Sequence, residues 1–394
     1  MADPRLICEV RVQGGDTQNS TGGHGQATGP TAGYRDWLTV SISQDYEEFW
    51  PIRFRLVCAE PDPKVFRLKP GDRVDITLAG EEALIGGYII ARQTAYDGSR
   101  HAVEVSGYGK AELITRASID TKTQNGQPGG QYRGYTLSAI ANAVLKPYSM
   151  KFQLQDPPEG ADEPFPNVVV RTGESPFELI ARLANQRAVR LSAGKDGTII
   201  GTGASKSGSL IRFVEGQNIL AARCSMSDPG VSEVIANAQR PGSDQEFGRK
   251  AAEVKAKGSA DGGPSTSTRI IMAEMPLSPK EAALRADMEV QQIAATQLRV
   301  SVTYAGWLRP GIGGLWDLQK DWVIVRSPML FPNKGGELEL KLWGYSYQQD
   351  AQGGSQTTVD LVNEMAFSAR YRSANDTSQL PNMGITPAQP ENAS

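Results

Sequence analysis

The sequence predicts an α+β protein of several domains, with two regions of short β-strands separated by helical material. Three observations lead there. Alternating apolar and polar residues, broken by turn residues, fill Leu6–Ser106 and again Arg299–Leu361. Two S-P-x-E capping boxes, at Ser175-Pro176-Glu178 and Ser278-Pro279-Glu281, open helices between those regions. A Gly-Tyr pair in a strand, followed by a glycine-containing turn and a returning strand, occurs at Gly87-Tyr88 and again at Gly344-Tyr345. The echo suggests two copies of one β fold.

The first β region starts at Leu6–Val12, where Cys8, Val10 and Val12 alternate with charged residues. Gly14–Gly33 has low complexity and no apolar period, which predicts a mobile loop. Trp37–Ile42 and Ile52–Cys58 return to strand patterning. Lys69-Pro70-Gly71-Asp72 suits a type II turn. It feeds Val74–Leu78, Leu84–Ala91 and, past Asp97-Gly98, Ala102–Ser106. These strands predict a small closed or sandwich β domain ending near Arg116.

Thr136 caps a helix over Leu137–Leu145, ended by Pro147, and Gln155–Pro166 is an acidic, proline-rich loop. The stretch Thr172–Gly203 then predicts a capped helix with Phe177, Ile180, Leu183 and Ala184 on one face. A hairpin follows, with Val189 and Leu191 inward and Asp196-Gly197 at its turn. Strands resume at Leu210–Phe213, Ile219–Cys224 and Val234–Ala238. Gly242–Ser267 is Gly-, Ser-, Lys- and Asp-rich and predicts a loose segment. The second box opens a helix over Pro279–Leu298, with Ala283, Val290, Ile293, Ala294 and Gln297 along one side. Arg299–Tyr304, Trp322–Val325, Glu337–Tyr347 and Thr357–Leu361 complete the second β region, and the tail past Arg372 predicts disorder.

At 394 residues the chain holds about two to three domains of ~100–200 residues each. A net charge of -3 gives no outer basic field for holding nucleic acid, but it is compatible with surrounding DNA without gripping it. No run approaches the ~18 apolar residues of a membrane span, and the start shows no signal-peptide pattern. Cys8, Cys58 and Cys224 are far apart and odd in number, which predicts reduced thiols and neither disulfides nor a zinc site.

The chemistry-bearing residues form no recognisable constellation. His24 lies in the glycine-rich loop and His101 follows a turn, so both predict structural or solvated roles. Gly201–Gly208 superficially resembles a phosphate loop but lacks G-x-x-x-x-G-K-[ST] and precedes a strand. Asp45, Glu47, Glu48, Glu81, Glu82, Asp156 and Asp162 predict solvated faces, since nothing pairs them across a cleft. No G-x-S-x-G is present. Trp307, Trp316, Trp322 and Trp343 suit a sugar platform, a subunit interface or core packing. No catalytic residue, metal ligand or cofactor is therefore predicted.

Two family resemblances emerge from these segments. Val170–Ser175 with Leu179, Ile180 and Ala181 looks like the start of a LysM peptidoglycan-binding module. Such a module continues into a second short helix, where this chain predicts a hairpin. The longer resemblance is to the late control D proteins, the baseplate hub proteins of contractile-tailed phages, with the Mu-like hubs nearest. PGDRVDITL, LIGGYIIARQTAYDG and HAVEVSGYGKAELITRAS resemble the first hub β domain. The helix and hairpin of Thr172–Gly203 resemble the hub centre. SPKEAALRADMEVQQIAATQLRVSVTYAGWLRPGIGGLWDLQKDWVIVRSP and ELELKLWGYSYQQDAQGGSQTTVDLVNEMAF resemble its long helix, following strand and last hairpin.

That resemblance implies a homotrimer in which each subunit gives two tube-like antiparallel β-barrel domains to a pseudo-sixfold ring. It implies domains at 1–116 (first barrel), 117–207 (α/β middle domain), 208–241 with 299–370 (second barrel), 242–298 (loop–helix insert) and 371–394 (disordered tail). The implied partners are the tail tube protein, the central spike protein and other baseplate proteins, with DNA only in passage and no stable membrane association. The implied location is the virion tail baseplate, assembled in the host bacterial cytoplasm. The alternatives are a LysM-like peptidoglycan-binding tail protein and a tail-associated cell-wall hydrolase.

Overall fold

The computed structural model describes residues 7–13, 33–47, 51–59, 68–96, 101–122, 130–203, 210–239, 248, 254–259, 267–273, 276–332 and 336–367. The loop expected at Gly14–Gly33 (Gly33 excepted), His24 within it, and the expected tail 371–394 lie outside the described residues.

The first β unit comprises β1 (Cys8–Gln13), β2 (Gly33–Tyr34), β3 (Thr39–Asp45), β4 (Arg53–Ala59), β5 (Arg73–Leu78), β6 (Glu81–Tyr96) and β7 (His101–Tyr108). Period-two alternation decides which face is buried: Val40 and Ile42, Phe54 and Leu56, Val74 and Ile76, Val103 and Val105 all point into one core. The expected turn before β5 forms, with Gly71 at φ +93° and the Asp72 amide donating to the Lys69 carbonyl at 3.1 Å.

The middle domain follows with α1 (Leu113–Arg116), β8 (Gln131–Tyr132), α2 (Leu137–Leu145), β9 (Phe152–Gln155), β10 (Val168–Val169), α3 (Pro176–Gln186), β11 (Arg190–Ala193) and β12 (Ile199–Thr202). Its separate core joins Leu137, Ile140 and Val144 of α2 to Leu179, Ile180 and Leu183 of α3. Both predicted caps are made: Ala139 N–H donates to Thr136 Oγ1 at 3.2 Å, and Glu178 N–H donates to Ser175 Oγ at 3.1 Å. The predicted hairpin turn sits at Gly197, φ +85°. One detail differs. Arg190, expected outward, is buried, because the second face of β11 is covered by the main sheet.

The second β unit comprises β13 (Leu210–Val214) and β14 (Ala221–Met226), then, after an insert, β18 (Leu298–Ala305), β19 (Trp322–Arg326), β20 (Glu337–Asp350) and β21 (Gly354–Val362). The insert holds β15 (Glu233–Ala238), β16 (Val254–Ser259), β17 (Thr268–Met272) and α4 (Pro279–Gln297). Val234–Ala238 therefore does not join the second unit as expected; among the described residues β15 pairs only with β16 and β17, in a three-stranded sheet against α4. The loose segment expected at Gly242–Ser267 also contains a strand, β16, whose Val254 packs with Leu277 and Ala282. The long helix is buried on nearly every side, not along one stripe, because the insert sheet, α3 and β18 all pack on it. Ala283, expected inward, is only half-buried.

The two units repeat one strand order. Neighbours run β3-β4-β7-β6-β5-β1 in the first and β14-β18-β21-β20-β19-β13 in the second, and both use their strands in the same sequence along the chain. Registers match as well. Ile89 pairs with Gly107 and Ala91 with Ser106 across a bulge; Leu342 pairs with Leu361 and Gly344 with Asp360 across another. Ile90 and Trp343 thus occupy equivalent bulge positions. Leu56 and Val302, in β4 and β18, likewise pair with Val105 and Val359. The last strand differs in sense, β1 being antiparallel to β5 and β13 parallel to β19.

The Gly-Tyr echo therefore falls on equivalent strands but in shifted register, since Gly344 corresponds to Ala91 and not to Gly87. Each glycine serves its own close approach. A Cβ at Gly87 would lie 3.0 Å from the Tyr108 carbonyl and 2.5 Å from Leu84 Cδ2, and one at Gly344 would lie 2.9 Å from Asp45 Cβ. The expected pair of tube-like barrels is also corrected. Among the described residues neither unit closes on itself; the β3–β20 pairing fuses both into one 13-stranded sheet.

Candidate functional site

The predicted chemical residues are scattered. His24 lies outside the described residues, and His101 is exposed on β7, its ring edge-on to Tyr96 at 5.8 Å. Gly201 lies in β12, where a Cβ would meet Val189, Leu154 and Phe152 within 3 Å, so the glycine serves packing and not phosphate binding. Glu48 and 204–209 lie outside the described residues. Glu82 pairs with Lys195 at 3.0 Å, Glu47 pairs with Arg299, and Asp162 accepts from Ser138 N–H at 2.8 Å near the start of α2. Asp156 takes a left-handed φ of +46°. Among the described residues no group of three or more His, Cys, Asp or Glu could hold a metal ion, and Cys8, Cys58 and Cys224 are free thiols.

The tryptophans settle into the core. Trp307, Trp316, Trp322 and Trp343 are all buried, so they do not form a sugar platform on this chain's surface. Trp316 Nε1 donates to Tyr304 Oη at 2.7 Å, and Trp307 Nε1 donates to the Gln348 carbonyl at 3.2 Å. Arg309 and Asp321 form a neighbouring ion pair at 2.8 Å. Burial raises the Asp321 carboxyl above its ordinary range, against the opposing pull of Asp317 N–H and Arg309.

What the fold brings together is a buried polar seam where the β11–β12 hairpin meets the β3–β20 joint. Gln44, at a core-facing position of β3, donates to the Ala193 carbonyl at 2.5 Å and accepts from Tyr345 Oη at 3.0 Å. Arg190 Nε donates to the Ala366 carbonyl at 2.6 Å, and its guanidinium carbon sits 5.0 Å from the Trp343 ring centre and 5.4 Å from that of Phe367. Gln319 Nε2 donates to Ser192 Oγ at 2.6 Å, and Lys341 Nζ donates to the Gln319 carbonyl at 2.7 Å. Burial pushes Arg190 down to about 10 and Lys341 down to about 8, and it pushes the Tyr46 phenol up to about 12.

On the solvent side of this seam, Arg299 makes a two-point pair with Glu47, at 2.8 and 2.9 Å, across the joint. That pairing holds the Glu47 carboxyl below its usual range. A cavity of about 380 Å³ opens beside it, lined by Tyr46, Phe177, Arg190, Met288, Arg299 and Trp343. Glu47, paired to Arg299, also lines it, and among the described lining residues no nucleophile stands beside a base. Chemically the arrangement clamps: one domain's hairpin is fixed against the strands that join the two β units. Sequence reasoning missed Gln44, Arg190 and Lys341, because a polar residue within a strand signals a solvent face until a second layer covers it. The one available signal was Arg190 flanked by apolar Val189 and Leu191.

Comparison with known proteins agrees with this structural reading. Residues 123–203 match the family described as baseplate hub protein gp44-like, second domain. The baseplate hub protein gp44 of Escherichia phage Mu is 24% identical over 294 residues, covering 72% of this chain and 74% of that protein. The 43 kDa tail protein of prophage MuSo2 from Shewanella oneidensis has a solved structure at TM-score 0.73 and 25% identity, covering 92% of this chain and all of that one. A tail protein from Neisseria meningitidis MC58 shares the fold at TM-score 0.70 and 16% identity, covering 92% of this chain and 97% of that one. The resemblance to Mu-like baseplate hub proteins is thereby shown.

Proposed function

We propose that this hub-like tail protein is a homotrimeric adaptor that joins a sixfold tail tube to a threefold central spike and leaves a channel for DNA. The observation that carries the proposal is the repeated six-strand order within one chain. Three copies would supply six equivalent β units, so one ring could present six similar surfaces to the tube and three to the spike. The role is assembly and not catalysis, in keeping with the structural character of the similar hub proteins.

On this reading the two β units, β1–β7 and β13–β14 with β18–β21, line the ring, while the middle domain and the insert of β15–β17 with α4 buttress it from outside. The partners are the tube protein, the spike protein and other baseplate proteins in the virion tail, after assembly in the host bacterial cytoplasm. DNA passes without being gripped, which the net charge of -3 suits. An obligate ring of this kind needs interfaces beyond about 2,000 Å². Among the described residues no helix is long and apolar enough to cross a membrane.

Light scattering together with a low-resolution image of the purified particle tests the proposal. A trimer with a central hole is the expected result, and a stable monomer at micromolar concentration would overturn it. The glycan-binding reading is tested by pull-down on peptidoglycan, which a hub should not bind. The hydrolase reading is tested by turnover on cell walls.

A further inference from the structure

Among the described residues the strands of the two β units pair with each other at one place, where β3 of the first lies antiparallel to β20 of the second. Ser43 pairs with Ser346 and Ile42 with Tyr347. Equivalence between the units maps this joint onto two other strands. Ser43 pairs with Arg53 as Ser225 pairs with Arg299, so β14 of the second unit stands where β3 stands in the first. Ser346 pairs with Thr358 as Gln93 pairs with Glu104, so the far half of β6 stands where β20 stands.

These two counterparts are open. Among the described residues β14 pairs only with β18, and the Gln93–Tyr96 part of β6 pairs only with β7. Five of the six β14 residues are exposed, whereas no residue of β3 is. At the matching bulge Ile90 is 37% exposed and Trp343 only 4%. Leu220, Met226 and Tyr96 add further exposed apolar surface along the same edges, Tyr96 at 82%. A long open strand edge is a ready template for pairing with a strand of another chain.

From this we infer that β14 of one copy adds to the far half of β6 in the next copy, repeating between subunits the joint that β3 and β20 make within one. The inference rests on the trimeric reading and specifies its contact. It also fixes the register: Cys224 lies opposite Thr94, Ser225 opposite Gln93 and Arg223 opposite Ala95. The contact is head-to-tail, with different surfaces on each side, so it closes into a ring only when the rotation between copies matches that between units.

Cysteine cross-linking tests the register in the full-length protein. One design pairs Thr94→Cys with the native Cys224; the other combines Ala95→Cys with Arg223→Cys in the Cys224→Ser background. Neighbouring rungs of an antiparallel pair alternate between narrow and wide Cα spacing, so one design suits a disulfide whichever rung is narrow. Thr94, Ala95 and Arg223 are exposed, so these changes leave the fold intact. The expected result is covalent dimer and trimer bands on a non-reducing gel, lost on reduction and lost from the first design in the Cys224→Ser background. A particle that is trimeric by light scattering yet gives only monomer bands from both designs overturns the strand joint and leaves the trimeric reading standing. A monomer overturns both.

Discussion

The guanidinium carbon of Arg190 lies 5.0 Å from the ring centre of Trp343, and both side chains are buried. Trp343 is the bulge residue of β20, at the point where that strand turns from pairing with β19 to pairing with β3. Arg190 belongs to the middle domain. The contact thus ties the hairpin of one domain to the joint between the two β units.

Arg190→Ala should lower stability by about 2–4 kcal/mol, because it opens a cavity and leaves the Ala366 carbonyl without its donor. Arg190→Met keeps most of the packing and removes a charge whose burial is costly, so its loss should be less than half as large. Denaturant unfolding of the three proteins measures this. An alanine variant within 0.5 kcal/mol of the parent would show that the seam is not a clamp.

Lys341 predicts a dependence on pH. Its ordinary value of 10.5 is lowered to about 8 by burial, so the folded state loses this proton before the unfolded chain does. The unfolded state therefore binds more protons between about pH 8 and pH 10.5, and the parent should gain stability across that window relative to Lys341→Met. At ~1.4 kcal/mol per pH unit the gain is roughly 3 kcal/mol. Unfolding of both proteins at pH 7 and pH 10 tests it; parallel profiles would mean that Lys341 is solvated in solution.

The capping box of α3 gives a smaller and cleaner expectation. Ser175 Oγ accepts from Glu178 N–H at 3.1 Å, while Glu178 Oε2 accepts from Ser175 N–H at 2.7 Å. Ser175→Ala should cost about 1 kcal/mol. The backbone bond from Ser175 holds the Glu178 carboxyl below its ordinary 4.5, so its contribution is present above that value and fades as pH falls through the lowered one. Chemical denaturation at pH 7 and pH 3 separates the two halves of the box. A Ser175→Ala penalty of zero at pH 7 would refute the cap.

Much of this architecture was legible because local chemistry decides it. Ser175 and Ser278 with their glutamates mark helix starts through main-chain hydrogen bonds made within a few residues. Val74, Ile76 and Leu78 mark a one-faced strand through alternation alone. The membership of Val234–Ala238 was not legible, because partner choice depends on β16, whose VKAKGS sequence has Val254 as its only large apolar residue, and on β17, about thirty residues further along the chain. Arg190 and Lys341 were hidden for a related reason: only a second layer of structure turns a polar strand position into a buried one. The repeated fold was glimpsed through Gly-Tyr pairs that are four residues out of register, and the strand order, not the motif, establishes it.

Gly344 offers the sharpest test of the internal joint. A Cβ there would lie 2.9 Å from Asp45 Cβ and 3.1 Å from the Gln44 carbonyl, both on the facing strand β3. Backbone cannot yield as a flexible side chain can, so Gly344→Ala must push β3 and β20 apart or distort the bulge. Overpacking of this kind costs about 1–3 kcal/mol. Displacing β3 also disturbs Gln44, whose bonds to Ala193 and Tyr345 hold the hairpin, so the loss should fall at the upper end. Ser346→Ala, two residues along the same strand, is the control and should stay within 0.5 kcal/mol. Amide exchange would place the damage: Gly344→Ala should speed exchange in β3 and, through the Gln44 bond to Ala193, in β11, while α2 and α3, which pack in a core separate from that of β3 and β20, keep the parental rate. Equal acceleration in all four elements would mean that the joint and the middle domain unfold as one unit.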